Sequence, residues 1–568
     1  MVLNTSTIDT NIPIPLLTFS WLDYVVFATM LSISGFIGVF FGCFGNKQNS
    51  SGEYLLGGKS LHIFPVSMSI IASNITGLAV LGVPADIYRY GAANVWSIIP
   101  IIISSLACIY VYMPVLLKLE LITTYQYLQI RFGSSIKMFA SFIYTLHLII
   151  YNPVIIFLPC LAFNQATGFN INLLAAATTI FCVFYTAIGG LKTVVWTDAI
   201  QTISILLGSI VVLAMGLYQS GDISSIFEIA RKGERLELFN FDLDPTIRDN
   251  FWTYALGCTA MWMTDVSINQ GTFQRLNAVP TFDKAKLVIF IFCVISVILK
   301  IFTAVTGIAI YARYADCDPL ESGKVVHTDQ VVPYYVMDVG RSILGLPGLF
   351  ISGVFAAALS TLSTNLLNLS TTIYTDFLSG FIPPSVSETK ISYILKFIVA
   401  VVGILDCGLV FVVGKFGGLL QFGISLIGIT SGTLLGLFTL GMVFPLANKQ
   451  VGCHFRFAFG YCSEQNVLRM KRCFRGTRAT SGDEIPPGIF RVSFWYYTFY
   501  GCLVVLVVGL IVSFVTRKSS SEVRPELISP MFQFLLPKKR KERSASYQSV
   551  NDDIAMKITS HATENDNE

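Results

Sequence analysis

Residues 67–84 read SMSIIASNITGLAVLGVP. The stretch is apolar enough for a membrane, yet Ser, Asn, Thr and Gly interrupt its middle. A second run of the same character, LGCTAMWMTDVSINQG, occupies residues 256–271. Irregular backbone at membrane depth is tolerated only where it lines a cavity or is buried in protein. The two broken runs stand first in two sets of five apolar spans, 64–217 and 251–445. Five is odd, so the second set enters the membrane from the opposite side. Paired interrupted helices in two inverted halves predict a binding site near the midplane.

The composition agrees with this reading. The chain of 568 residues is 54% hydrophobic and 13% charged, with a mean hydropathy of +0.67. Soluble domains carry about 25% charged residues. An all-α polytopic membrane protein is expected. Spans lie near 21–44, 64–82, 94–117, 137–163, 171–188, 198–217, 251–270, 286–312, 349–374, 391–414 and 420–445, eleven within 21–445, with a last hydrophobic helix at 493–515. The first twenty residues hold no Lys or Arg, so a cleavable signal is not expected. Asn4 opens a glycosylation sequon that would be usable on an external N-terminus. The sequons at Asn74 and Asn368 fall inside spans and should stay unmodified.

Orientation follows from Lys and Arg in short loops. Lys118, Arg131 and Lys137 mark loop 118–137 as cytosolic, and Arg275, Lys284 and Lys286 do the same for 271–286. Loops 218–250 and 313–341 are rich in acid and belong outside. Counting spans then puts segment 1–20 outside the cell. The segment 446–492 is basic and reads as a cytosolic loop. The tail 516–568 is also basic, reads as cytosolic and is expected to be disordered. One crossing at 493–515 cannot leave both segments inside, so the parity of the chain is broken.

The residues that carry chemistry cluster in FAAALSTLSTNLLNLSTT at 355–372. On a helix, Ala357, Ser360, Thr361, Thr364, Asn368 and Thr371 share one face, and Leu359, Leu362, Leu366, Leu369 and Ile373 form another stripe. Adjacent hydroxyls with a carbonyl one turn earlier make a neutral pocket of hard oxygens, suited to Na⁺. Close helix packing by small residues explains the same pattern, and both readings stand. The twelve cysteines include no C-x-x-C. Cys453, Cys462, Cys473 and His454 fit no zinc spacing. His147 is the only histidine well inside a span, and no Ser/His/Asp set is present, so the chain does not read as an enzyme. No nucleic-acid partner is expected.

Several motifs in order resemble the sodium/solute symporter family: EYLLGGKSL at 53–61, LGVPADIYRYG at 81–91, GGLKTVVWTDAIQ at 189–201, NQGTFQR at 269–275, CDPLESGKVVHTDQVVPYYVMD at 317–338 and LLQFGISLIGITSGTLLGLFTLGMVFP at 419–445. The nearest branch resembles the sodium-coupled monocarboxylate, multivitamin and iodide carriers. The resemblance implies a LeuT-like five-plus-five core with peripheral helices. It implies uptake of a small solute by alternating access, coupled to Na⁺, across the plasma membrane. It implies a sodium site of Ala72 and Ile75 carbonyls, the Ala357 carbonyl and the Ser360 and Thr361 hydroxyls. It also implies a cation-coupling Asp198, although an Asp at a span end equally caps a helix. Thr76, Ala79, Trp262, Asp265, Val266 and Gln421 would line the substrate cavity.

Two departures stand out. A hydrophobic span usual in the family after FP-x-A-N is replaced by the basic segment from Lys449. The stretch Met263-Thr264-Asp265-Val266-Ser267 replaces an apolar or aromatic run, and Ala79 stands where relatives often carry Gln. Asp265 at the midplane pairs with a cation, or else is protonated and bonded to a nearby carbonyl. Substrate identity stays open between a monocarboxylate- or vitamin-like solute and a cationic or zwitterionic one. A non-transporting sensor or channel-like relative is the alternative to a symporter.

Overall fold

The computed structural model describes residues 19–41, 50–220, 222–325, 328–340, 343–383, 385–413, 419–448, 492–516 and 523–536, and no strand occurs among them. Asn4 and Lys449–Arg491 lie outside the described residues. Eight described helices are long and apolar enough to cross a membrane, or nine if one bent pair counts as a span.

The chain runs through α1 (Trp21–Val39), α2 (Ile63–Asn74), α3 (Val83–Tyr90), α4 (Ala92–Leu116), α5 (Ser134–Thr167) and α6 (Ile171–Ser220). Then come α7 (253–268), α8 (Gln270–Asn277), α9 (Phe282–Tyr314), α10 (Leu346–Thr372), α11 (Glu388–Val413), α12 (Leu419–Val443) and α13 (Tyr497–Val515). Within α6, Gly190 takes φ 56° and ψ −155°. Only glycine adopts that backbone cheaply, so α6 is two spans, as its sequence suggests.

Contacts between helix ends set the direction of each span. One end of the bundle gathers Leu61, whose N–H donates to the Ala278 carbonyl, and Asn277, whose amide donates to the Leu121 carbonyl. Arg131 joins them, its guanidinium donating to the Gly441 carbonyl. We call this the basic end. The acidic end gathers Ala92 on the Arg235 carbonyl, Gln219 on the Val339 carbonyl and Phe19 on the Ala166 carbonyl. The first five-span set starts at the basic end with α2, and the second starts at the acidic end with α7. The two sets are therefore inverted.

The hydroxyl-bearing α10 lies at the centre, with 94% of its membrane-length window buried. Leu359, Leu362, Leu366 and Leu369 are each almost fully buried. Their stripe packs on protein and never reaches lipid. The neighbours α6 and α5 bring Tyr185, whose hydroxyl donates to the Leu359 carbonyl, and Asn152, which accepts from Asn365.

Two expectations need correction. The described flanks of segment 446–492 lie at opposite ends of the bundle, not at one end. A methyl group on Gly428 would meet Tyr497 Cβ at 2.7 Å, and one on Gly436 would meet Val505 Cβ at 2.6 Å. Gly432 faces Gly501, and Leu440 faces Gly509. Residue numbers rise together along both helices, so α12 and α13 are parallel. Asn448 caps the basic end, donating to Thr516 Oγ1 at 2.7 Å. Ser493 sits at the acidic end, donating to the Pro245 and Arg248 carbonyls. Parity is repaired because the two ends of the segment are on opposite faces.

The second correction concerns the tail, which was expected to be largely disordered. Residues 523–536 dock on the basic end. Tyr127 donates to the Leu527 carbonyl at 3.0 Å, Ser529 N–H donates to the Met442 carbonyl, and Leu527 and Ile528 are buried. Their apolar side chains supply burial that the charged residues around them cannot.

Candidate functional site

The first break forms because side chains compete for α2's own carbonyls. Ser73 donates to the Ser69 carbonyl and Asn74 to the Ile70 carbonyl, a pattern that loosens helices. The helix stops at Asn74, Ile75 leaves helical geometry (φ −98°, ψ 80°), and the chain resumes bent by 62°. A helix end leaves its last carbonyls without intrahelical donors. A wide π-helical turn, Leu78–Gly82, follows this break, and another, Thr264–Ile268, precedes the break in the second half. Such turns concentrate at functional sites. Asn269 ends α7 and its side chain caps α8 through Gly271 N–H at 2.7 Å. A Cβ at Gly271 would lie 2.7 Å from Asn368 Nδ2, so a larger residue there would push that side chain aside.

The break in α2 faces the middle of α10. Ser73 Oγ lies 3.1 Å from Thr364 Oγ1, and Gly77 packs on Val354. These contacts run antiparallel and bracket Ala72 and Ile75 against Ala357, Ser360 and Thr361. The five oxygen-bearing positions are thus brought together. Thr361 donates to the Ala357 carbonyl at 2.9 Å and lines the central cavity. Ser360 Oγ is buried with no hydrogen-bond partner among the described residues. An orphaned buried hydroxyl costs stability unless something fills its place. A neutral set of carbonyl and hydroxyl oxygens fits a hard monovalent cation, so the residues present suit Na⁺.

Asp198 is fully buried inside α6, beyond Gly190 and away from any helix end. The helix-cap reading is therefore wrong. Its Oδ2 accepts from Ser69 and, at 2.9 Å, from Arg275, while its Oδ1 is buried without a partner. Arg275 also reaches the Gly271 carbonyl, Ser73 and Thr364. It is 2% exposed, so it is no aqueous loop charge and cannot be counted toward orientation. It ties α8 to α2, α6 and α10 at the edge of the sodium-site residues. Lys137 behaves similarly, pairing with buried Asp376 at 3.0 Å.

A cavity of about 160 Å³ opens beside the breaks. Thr76, Ala79, Trp262 and Asp265 line it as expected from sequence. Val266 does not. It is fully buried on the far side of α7, where its carbonyl accepts from Cys108, because the next residue along a helix points elsewhere. Gln421 lies in the first turn of α12, and its side chain is outside the described residues. Most of the lining was not expected from sequence, and two of those residues matter most here. His147 stacks on Tyr151 with ring centres 5.5 Å apart. Lys300, from α9, faces the same cavity as Asp265. A lone Lys inside an apolar span was the available signal.

Comparisons with known proteins agree with the geometry. Residues 54–452 match the model of the sodium:solute symporter family. Human sodium-coupled monocarboxylate transporter 2 is 34% identical over 538 residues, covering 90% of this chain and 87% of that protein. Human sodium-coupled monocarboxylate transporter 1 is 32% identical over 574 residues, covering 94% of each. A solved Na⁺-coupled sialic acid symporter, substrate-bound and outward-open, superposes with a TM-score of 0.74 at 22% identity, covering 88% of this chain and 98% of that one. At that identity the likeness speaks for the fold, which is LeuT-like.

Proposed function

The chain belongs to the sodium:solute symporter family, and from that premise we propose how its residues divide the work. It is a sodium-coupled symporter of a small solute, built as a polytopic membrane protein. Sodium is held by the carbonyls of Ala72, Ile75 and Ala357 and by the hydroxyls of Ser360 and Thr361. The observation that carries this assignment is a pair of buried oxygens, Ser360 Oγ and Asp198 Oδ1, which lie beside each other and make no hydrogen bond among the described residues. Asp198, with Arg275 holding one of its oxygens, links that site to the basic end and serves cation coupling.

The solute occupies the cavity bounded by Thr76, Ala79, Trp262 and Asp265. Its volume suits a molecule of a few heavy atoms, and the names of the relatives favour a carboxylate. The protein works in the plasma membrane with its basic end and tail in the cytosol and its N-terminus outside. Inward movement of one Na⁺ charge gains about 2.3 kcal/mol per 100 mV, which drives the solute inward by alternating access. The test is uptake into oocytes or vesicles of labelled anions, zwitterions and amines, with and without a Na⁺ gradient. Na⁺-dependent accumulation of at least one carboxylate-bearing solute is expected. Uptake of every solute that ignores Na⁺ would sink the symport reading.

A further inference from the structure

The central cavity presents two opposite charges that do not neutralise each other. The Asp265 carboxylate and the Lys300 ammonium both line it, and among the described residues neither enters an ion pair or a side-chain hydrogen bond. Three other acidic side chains are matched by a cation, Asp198 by Arg275, Asp376 by Lys137 and Asp86 by Arg248. Among the described residues, by contrast, buried Asp406 accepts only from the Asn152 amide and buried Asp23 only from Ser20 and the Gly348 N–H. Two unpaired charges facing one water-accessible space are expensive unless a ligand meets them.

Their placement separates them along the cavity. Cys258 lies within electrostatic reach of both. Lys300 also lies within electrostatic reach of Asp86, toward the acidic end, and Asp265 shares the cavity lining with Tyr151. From Cys258 to Asp265 is two turns of α7, roughly 10 Å along the axis. Met261, Trp262 and Leu148 add apolar surface to the same cavity, alongside polar residues such as Thr76 and His147.

Resting on the symport reading above, we propose that the substrate is a small zwitterion whose carboxylate and ammonium stand at opposite ends of a short apolar chain. Lys300 meets the carboxylate, Asp265 meets the ammonium, and Trp262 and Met261 cover the linker. The Lys side chain takes up part of the separation, which leaves a linker of about four to six atoms. An α-amino acid carries its charges too close together to satisfy both residues at once. A plain monocarboxylate leaves Asp265 unmatched, and a plain amine does the same to Lys300.

Four labelled five-carbon solutes separate these cases: 5-aminopentanoate, pentanoate, pentylamine and norvaline. Each is offered to cells expressing the full chain, with and without Na⁺. Wild type is expected to take up 5-aminopentanoate with Na⁺ at a half-saturating concentration at least tenfold below the others. Asp265→Asn should erase its advantage over pentanoate. Lys300→Gln should erase its advantage over pentylamine, and Lys300→Arg should restore it. Should a variant fail to reach the surface, thermal stabilisation of purified protein by 5-aminopentanoate in Na⁺ is read instead: present in wild type, absent in Asp265→Asn and Lys300→Gln. If wild type carries pentanoate or norvaline with Na⁺ as well as it carries 5-aminopentanoate, or if Asp265→Asn keeps the preference, the two-ended substrate is wrong and symport stands. If Na⁺ drives none of the four, nor any solute of the wider panel, symport falls with it.

Discussion

Ser360, Thr361 and Arg275 show how differently a buried polar side chain can be used. The hydroxyls of Ser360 and Thr361 have little to do for the fold: one is unpartnered and the other bonds within its own turn. Replacing either with Ala should leave surface expression near normal and raise the Na⁺ needed for half-maximal uptake about tenfold, the equivalent of ~1.4 kcal/mol of lost coordination. A Na⁺ titration checks this, and unchanged dependence in both variants removes them from the site. Arg275 is the opposite case. Breaking a buried ion pair by removing one partner costs about 3–5 kcal/mol. Arg275→Ala should therefore lower thermal stability in detergent sharply, and adding Asp198→Asn should recover part of the loss. A double variant no more stable than Arg275→Ala would show that the pair is not what matters. The sequence made the hydroxyl face readable because its spacing is local. It hid Arg275 among polar neighbours in NQGTFQR, where the residue passes for a loop charge. Lys300 was hidden too, because which way a lone Lys points from an apolar helix is decided by packing across α3, α4 and α7.

Breaks, unlike bearings, are written locally. Both interrupted helices were visible as Ser, Asn, Thr and Gly within apolar runs, and so was the division of α6 at its Gly-Gly pair. The π turns beside the breaks, Leu78–Gly82 and Thr264–Ile268, were not. The seam between α12 and α13 belongs to the same scale. Gly428, Gly432 and Gly436 recur every four residues and let the helices touch backbone to backbone. A methyl group on Gly432 would overlap the Thr498 carbonyl oxygen. Gly432→Leu should accordingly destabilise the purified protein by about 1–3 kcal/mol or more, the range for overpacking. A melting temperature equal to wild type would mean that the helices are not in contact there.

At the scale of the whole molecule, charge counting worked less well than span counting. Arg131, Lys137 and Arg275 were all read as aqueous, and all are buried against carbonyls or carboxylates near one end of the bundle. They share one end of the bundle, where buried partners hold them. The same counting assigned 446–492 to a single face, which the parallel course of α12 and α13 contradicts. Epitope tags decide the matter: one inserted after Asn448 should be reached only in permeabilised cells, and one ahead of Ser493 in intact cells. Labelling of both from the same side would overturn the parallel arrangement. The parallel course also dictates an order of assembly. A hairpin closes from its turn as soon as the second strand of helix emerges, but α12 and α13 share no turn. Until α13 has inserted beside it, the glycine groove of α12 lies bare, and α13 is the last of the described membrane-length helices to close on the bundle. A cell inspecting for incomplete transporters would need to sense only that one open groove.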